Sequence, residues 1–136
     1  ARTPVQWSSK ENAGFTTGKP WFYVNQNYKE INAAKQEADP NSLLNFYRKA
    51  IALRKSLPVV KDGVYKDHFF ISGKRYVYSR DNGKQKILVM CSFAKTDIPV
   101  RIPAGFDISK ATLALHSYPD VRDKLQPYEA RVYVWE

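Results

Sequence analysis

Carboxylates are the side chains that most often carry glycoside, peptide and phosphate chemistry, and they act in pairs held at defined positions. The chain has 13 aspartate and glutamate residues, and none of them falls into a recognisable catalytic motif. Those in predicted turns or at strand ends are Asp62, Asp67, Asp120, Asp123 and Glu129. Solvated turn and strand-end charges account for all of these, so we predict no catalytic residue in this chain.

Other reactive groups also lack an arrangement for chemistry. The sequence has no glycine-rich phosphate loop, no serine at a nucleophile elbow and no metal-ligand spacing, so we expect no cofactor and no metal. Its only cysteine, Cys91, lies in the apolar run Ile87–Cys91 and is expected to be a buried, reduced thiol. A lone cysteine builds no disulfide framework, which favours a cytoplasmic location.

The net charge of +9, from 22 lysines and arginines, first suggests a nucleic-acid partner. The basic residues, however, never run longer than two and are spread over the whole chain. No RNA-binding aromatic motif or recognition-helix pattern accompanies them, and no stretch is apolar for long enough to span a bilayer. We therefore expect a solvated basic surface, with neither a nucleic-acid nor a membrane partner.

Residues 1–38 form a segment without a regular hydrophobic period, which we call the aromatic arm. It carries turn-forming proline, glycine and asparagine residues among the aromatics Trp7, Phe15, Trp21, Phe22, Tyr23 and Tyr28. So many aromatics argue against disorder, and a loop of this length is rare inside a compact domain. We therefore expect these aromatics to be covered.

One long helix is predicted between Asp39 and Leu57. Asp39 is expected to cap it, Pro40 fits the first helical position and Pro58 ends it. Apolar residues recur at spacings of three and four, namely Leu43, Phe46, Tyr47, Ala50, Ile51, Leu53 and Leu57. This arc is wide, so we expect the helix to pack on two neighbours.

From residue 59 the hydrophobic period changes to two. The predicted strands are Val64–Phe70, Arg75–Arg80, Lys86–Phe93, Ile98–Ile102, Ala111–His116 and Ala130–Trp135. The Asn82-Gly83 pair predicts a type I′ hairpin, the apolar run Ile87–Cys91 predicts a central strand, and the last strand is expected to be half-buried. The fold class is therefore mainly β with one long helix, and the strands are expected to form an antiparallel sandwich.

Many spaced residues of the chain resemble one enzyme group. The opening Arg2-Thr3-Pro4-Val5-Gln6-Trp7 and the following Asn12-Ala13-Gly14-Phe15-Thr16-Thr17-Gly18 are similar to a loop of oligo-1,6-glucosidases, dextran glucosidases and trehalose-6-phosphate hydrolases, which belong to the α-amylase superfamily. The similarity continues through Asn27–Asn32, Asp39–Ser42, Tyr47–Lys49 and Leu53–Lys55, and it returns at Pro127–Ala130. The chain departs from the group at Val5, where methionine is common, and at Ser8-Ser9, where acids are usual, which bears on substrate preference.

The resemblance implies a (β/α)₈ barrel followed by a C-terminal β-sandwich. Residues 1–57 would be the loop after the eighth strand and the last helix of a truncated barrel, and residues 58–136 the sandwich. In that group the catalytic aspartate, glutamate and second aspartate come from earlier strands, so the intact protein is expected to be a retaining α-glucosidase and this chain alone inactive. Its partners would be an oligosaccharide, bound by the intact enzyme, and the upstream barrel. Without that barrel the chain is expected either to self-associate or to fold the arm back over the helix.

The resemblance places Arg2, Gln6 and Trp7 at the rim of the substrate cleft. A guanidinium and an amide would meet sugar hydroxyls, and an indole ring would stack on a sugar; for each residue, bracing the loop is an equal alternative. A different reading treats the sandwich as a stand-alone carbohydrate-binding module that uses Tyr76, Tyr78, Tyr133 and Trp135. Alternation places Tyr76 and Tyr78 on one face, which suits a sugar platform or a core equally.

Overall fold

The computed structural model describes residues 2–68 and 73–136. The chain forms two compact units, Ala1–Lys49 and Ala50–Glu136, which we call the N-terminal and C-terminal units. None of the helices in the described part of the chain is long and apolar enough to cross a membrane.

Short helices separated by turns make up the N-terminal unit. A turn over Glu11–Gly14 and a 3₁₀ helix, Gln26–Lys29, precede helix α1, Ala33–Ala38. Asn32 caps α1, because its side-chain oxygen accepts from the Lys35 amide at 3.0 Å while its Nδ2 donates to the Tyr28 carbonyl at 2.9 Å. This asparagine therefore fixes both the start of α1 and the turn before it.

Helix α2, Leu43–Ser56, is shorter than predicted. Asp39 does not cap it; its Oδ1 instead accepts from the Asn41 amide at 2.9 Å and closes a turn that contains Pro40. The cap is Ser42, whose hydroxyl accepts from the Asn45 amide at 3.2 Å. After α2, Pro58 opens a separate helix α3, Pro58–Asp62, because its fixed φ suits the first helical position.

The strands of the C-terminal unit form two antiparallel sheets. The strands are β1 Val64–Asp67, β2 Arg75–Asp81, β3 Lys86–Ser92, β4 Ile98–Pro99, β5 Thr112–His116, β6 Lys124–Leu125 and β7 Ala130–Trp135. The larger sheet has the order β1-β2-β3-β7-β5, and the smaller pairs β4 with β6. An antiparallel sheet with a few helices is thus confirmed.

Several predicted boundaries change. Strand β1 ends at Asp67, and the predicted extension over residues 69–70 lies outside the described residues. Strand β4 has two residues because Pro99 has no amide hydrogen to extend the pairing. The β2–β3 hairpin is present, but its turn is not type I′: Gly83 has a positive φ of 82°, whereas Asn82 does not and instead accepts from the Lys84 and Gln85 amides.

Two apolar clusters lie on opposite faces of the larger sheet. Cluster 1 contains Val77, Leu88, Met90, Ala94, Ile98, Leu125 and Tyr133. Cluster 2 contains Leu57, Val59, Ile87, Val89 and Val134, with Leu53 and Val60 packed against it. Consecutive residues of β3 enter different clusters, so β3 is buried on both faces and its predicted central place is confirmed.

Strand β7 was predicted to be half-buried, and this is wrong. Tyr133 belongs to cluster 1 and Val134 to cluster 2, so both faces of the strand are covered. Cys91 also differs from its prediction: it is half-buried at the edge of cluster 2 and not fully enclosed. Burial nevertheless raises the pKa of the Cys91 thiol.

Candidate functional site

The predicted cleft-rim residues Arg2, Gln6 and Trp7 lie in one extended segment at the start of the N-terminal unit. Arg2 is exposed. Gln6 is half-buried and donates from Nε2 to the Ile31 carbonyl. The backbone carbonyls of Gln6 and Trp7 accept from the first amides of helix α1, Ala33 at 2.8 Å and Ala34 at 3.0 Å. The Gln6 amide therefore braces the segment against the turn before α1.

Trp7 differs from Gln6, because its backbone is hydrogen-bonded while the residue itself is exposed. The amides of Trp7 and Ser8 both donate to the Ala13 carbonyl, at 2.9 and 3.1 Å. Trp7 as a whole residue is 55% exposed. A ring presented by an anchored backbone loses little conformational freedom on binding, which suits Trp7 to stacking on a ligand.

The turn that anchors Trp7 has an unusual backbone. Asn12, Ala13 and Gly14 have positive φ values of 51°, 59° and 69° in succession. Such conformations cost energy for non-glycine residues and cluster at functional sites. A Cβ on Gly14 would lie 2.7 Å from the Ser8 hydroxyl, and its φ of 69° favours glycine, so a larger residue there would be strained.

The Asn12 side chain extends this anchorage. Its Nδ2 donates to the carbonyls of Thr16 at 3.4 Å and Gly18 at 3.2 Å, so it ties the next turn to the first. The spacing from Asn12 to Gly18 thus has a physical role, which sequence reasoning did not assign. The pairing of a polar residue with following glycines was the available signal.

Large apolar side chains stay exposed throughout the N-terminal unit. Trp21 is 81% exposed, and the other exposed side chains there include Phe15, Tyr23, Ile31, Leu43 and Tyr47. No residue of helix α2 is buried. The N-terminal end of α2 is therefore exposed at Leu43 and Tyr47, whereas Leu53, further along the helix, packs against cluster 2.

The interpretation of Glu129 as a solvated strand-end charge is wrong. Glu129 is fully buried and Arg131 is 2% exposed; Arg131 Nε lies 2.6 Å from Glu129 Oε1, and its Nη2 lies 3.0 Å from Oε2. Two further guanidinium hydrogens go to the carbonyls of Arg122 and Lys124, and Oε2 accepts from the Gln126 amide. This paired and hydrogen-bonded arrangement ties the loop before β7 to the sheet and leaves no free carboxylate for chemistry.

The other acidic residues also serve local structure. Asp120 Oδ2 lies 2.7 Å from Arg122 Nε, and this hydrogen bond lowers the pKa of Asp120. Asp62 accepts from the Asn82 side chain at 3.0 Å. In the part of the chain that the structure describes, no three His, Cys, Asp or Glu side chains come together as a metal site.

The four aromatic residues of the carbohydrate-binding alternative do not form a single surface. Tyr133 is buried in cluster 1, and Trp135 packs edge-on against Phe106 while donating from Nε1 to the Asp107 carbonyl at 3.1 Å, so neither offers a free ring. Tyr76 and Tyr78 do share a face, with ring centroids 5.4 Å apart. Tyr65 joins them from β1, a residue that the sequence analysis did not select because the β1–β2 register was unknown.

Comparison with known proteins gives matches along nearly the whole chain. Residues 1–63 match the family "Alpha amylase, catalytic domain". The chain is 39% identical to probable oligo-1,6-glucosidase 2 and 38% identical to trehalose-6-phosphate hydrolase, both of Bacillus subtilis strain 168, over 98% of its own length. It spans 25% of the length of each of these relatives.

Solved structures give the same result. The trehalose-6-phosphate hydrolase of Bacillus licheniformis superposes with a TM-score of 0.88 at 34% identity, over 96% of this chain and 25% of that one. The isomaltulose synthase of Klebsiella sp. LX3 superposes with a TM-score of 0.89 at 36% identity, over 97% of this chain and 24% of that one. The resemblance to the α-amylase-family group of oligo-1,6-glucosidases and trehalose-6-phosphate hydrolases is thereby confirmed, for a chain that spans a quarter of the length of those enzymes.

Proposed function

We propose that this chain is the C-terminal part of a retaining α-glucosidase that hydrolyses α-1,6 or related bonds in short oligosaccharides. The observation that carries the proposal is the 39% identity to oligo-1,6-glucosidases over 98% of the chain. The retaining reaction requires two carboxyl groups about 5–5.5 Å apart, one as nucleophile and one as acid. Since no such pair was found in the sequence, the rest of the protein would supply it and the chain alone would be inactive.

The proposal assigns residues 1–57 to the end of a (β/α)₈ barrel and residues 58–136 to a C-terminal β-sandwich. The family match to a catalytic domain over residues 1–63 supports the first assignment. The two sheets and the apolar cluster that includes residues from both of them support the second. The exposed aromatics of residues 2–49 are also what a segment separated from its barrel would present.

The three predicted cleft-rim residues would have different roles. Trp7 would contact the sugar, because it is exposed and its backbone is anchored. Gln6 would position Trp7, since its side-chain amide is already committed to the Ile31 carbonyl. Arg2 is exposed and would offer a guanidinium to sugar hydroxyls. A cytoplasmic location is also part of the proposal, supported by the single unpaired cysteine.

A hybrid enzyme tests the proposal. The matching quarter of the Bacillus subtilis oligo-1,6-glucosidase would be replaced by this chain, and isomaltose hydrolysis would be measured beside sucrose isomerisation, the latter because a synthase is among the similar structures. We expect hydrolysis. A folded hybrid that acts on neither sugar would contradict the proposal, and isomerisation without hydrolysis would replace the proposed reaction.

Two substitutions in the hybrid test the assignment of Trp7. Trp7→Ala is expected to raise KM for isomaltose several-fold with a smaller change in kcat, whereas Trp7→Phe keeps a stacking ring and is expected to restore most of the affinity. Equal kinetics for all three proteins would show that Trp7 only braces the loop.

A further inference from the structure

Three tyrosines form a connected group on one face of the larger sheet, which we call the tyrosine cluster. Tyr78 lies in the middle, with ring centroids 5.5 Å from Tyr65 and 5.4 Å from Tyr76. The rings are tilted by 34° and 39°, so they neither stack flat nor meet edge to face. Tyr65 and Tyr76 are 43% and 40% exposed, and Tyr78 is half-buried. The cluster is therefore a supported aromatic surface open to solvent.

The hydroxyl groups of the cluster are linked to an acid. The Tyr65 and Tyr76 hydroxyl oxygens are 2.8 Å apart, and the Tyr65 hydroxyl lies 3.3 Å from Asp67 Oδ2. The Asp67 carboxylate forms no ion pair with the described residues and keeps lone pairs for further donors. The hydrogen bond with Tyr76 raises the pKa of Tyr65, so the Tyr65 phenol stays protonated at neutral pH.

Arg80 extends the surface along β2. Its guanidinium lies 5.8 Å from the centre of the Tyr65 ring and donates to the Gly63 carbonyl at 3.1 Å. Exposed aromatic faces, hydroxyls, a carboxylate and a guanidinium thus lie side by side. The apolar C–H face of a pyranose suits such rings, and its hydroxyls, both donors and acceptors, suit the polar groups.

We propose that the tyrosine cluster binds a neutral gluco-oligosaccharide, with one sugar ring on Tyr76 and its hydroxyls on Asp67 and the tyrosine hydroxyls. The site lies in the C-terminal unit and contains none of the cleft-rim residues Arg2, Gln6 and Trp7. It would hold a substrate or product chain without reacting with it. The choice of an α-linked glucan as ligand rests on the proposed function. The evidence that the tyrosine cluster is a sugar-binding surface does not, because it comes from the geometry of the cluster alone.

Titration calorimetry of the 136-residue chain with maltotriose tests this site, with aromatic ¹H–¹³C NMR spectra to locate the binding. We expect saturable binding and shifts of the Tyr65 and Tyr76 ring signals. Tyr76→Ala removes a ring and is expected to weaken binding about tenfold or more, equal to about 1.4 kcal/mol. Asp67→Asn, which keeps the shape but loses the charge, is expected to weaken it less.

Phe93→Ala is the matched control, because Phe93 is an exposed aromatic of the same unit outside the cluster. It is expected to bind maltotriose as the parent chain does. Absence of saturable binding, or equal binding by the parent, Tyr76→Ala and Asp67→Asn chains, would overturn the inference; circular dichroism confirms that each variant is folded.

The experiments distinguish failure of the glucosidase proposal from failure of the sugar-binding proposal. An active hybrid enzyme beside a chain that binds no maltotriose would remove only the surface site. An inactive hybrid beside maltotriose binding that requires Tyr76 would support the surface site and remove the glucosidase. Binding of cellotriose in place of maltotriose would keep a sugar site but overturn its α-glucan specificity.

Discussion

The two units of the chain are stabilised in different ways. The C-terminal unit buries two apolar clusters on the two faces of one sheet. Among residues 2–49, Pro4 and Ala13 are the only buried apolar residues, while Trp7, Trp21, Tyr23, Leu43 and Tyr47 are exposed. Since burial of apolar surface is the main driving force of folding, the C-terminal unit has its own core and the N-terminal unit does not.

In the N-terminal unit, hydrogen bonds from side chains to backbone carbonyls fix the local conformation. Asn45 Nδ2 lies within 3.3 Å of three backbone carbonyls, those of Gln36, Glu37 and Asp39. The hydroxyl of Ser42 donates to the Gln36 carbonyl at 2.5 Å. Such bonds specify a local conformation but contribute little net stability, about 0.5–1.5 kcal/mol each. This comparison supports the proposal that the N-terminal unit packs on the upstream barrel.

The largest expected difference in unfolding free energy between the two units comes from removing one partner of an ion pair. Glu129→Ala leaves Arg131 buried without its partner and is expected to destabilise the C-terminal unit by about 3–5 kcal/mol. Glu37→Ala removes the exposed pair with Arg48 in the N-terminal unit and is expected to cost less than about 1 kcal/mol. Urea unfolding followed by circular dichroism measures both. If the two variants lost similar amounts of unfolding free energy, the two units would not differ in how their ion pairs contribute to stability.

The next largest difference in unfolding free energy between the units is expected from leucine-to-alanine substitutions. Leu88→Ala opens a cavity in cluster 1 and is expected to cost about 2–5 kcal/mol. Leu43→Ala removes an exposed side chain of α2 and is expected to stay within about 0.5 kcal/mol in this chain. In the hybrid enzyme, by contrast, Leu43→Ala is expected to lower the melting temperature, because a barrel would cover it. An unchanged melting temperature would argue against that cover.

Gly14→Ala tests the strained turn beneath Trp7. A Cβ there meets the Ser8 hydroxyl and φ is positive, so we expect a local cost of about 1–2 kcal/mol. Faster hydrogen exchange of the Trp7 and Ser8 amides, with the β3 amides unchanged, is the expected result. Gly18→Ala is the control, since Gly18 has no positive φ and a Cβ there makes only an ordinary contact. Unaltered exchange in Gly14→Ala would show that the turn relaxes freely.

The smallest expected effect is the reactivity of Cys91. Burial raises its pKa, so the thiolate fraction at neutral pH is lower than for a free cysteine and increases as pH rises. We expect slow reaction with Ellman's reagent at neutral pH, a faster reaction at higher pH and full reaction in denaturant. Immediate labelling at neutral pH in native buffer would contradict the half-buried position beside cluster 2.

Periodicity alone predicted the outline of the C-terminal unit. The alternation from residue 59 and the apolar run Ile87–Cys91 identified the antiparallel sheet and its central strand. Glu129 and Tyr133 were misassigned because burial on both faces of β7 depends on β4, β6 and the loops around them, which no local pattern reveals. The Tyr65–Tyr76 contact depends on strand register in the same way.

The N-terminal unit was harder to predict, and for a different reason. Asp39 and Ser42 are both good helix caps, and only the competition between a turn and a helix start decides for Ser42. The turn at Asn12–Gly14 has non-glycine residues with positive φ, which propensity does not predict. The Arg2–Trp7 motif was informative through resemblance alone, since its spacing indicates no chemistry by itself.

We propose that the exposed apolar side chains of residues 2–49 pack on another protein surface. Light scattering over a concentration series tests it on two proteins: the parent chain, and a variant with Trp21, Tyr23, Leu43 and Tyr47 replaced by serine or glutamine. Exposed patches of this kind drive association, so we expect the parent chain to self-associate and bind a hydrophobic dye, and the variant to stay monomeric with the same circular dichroism. A parent chain that is monomeric at every concentration and binds no dye would contradict the claim.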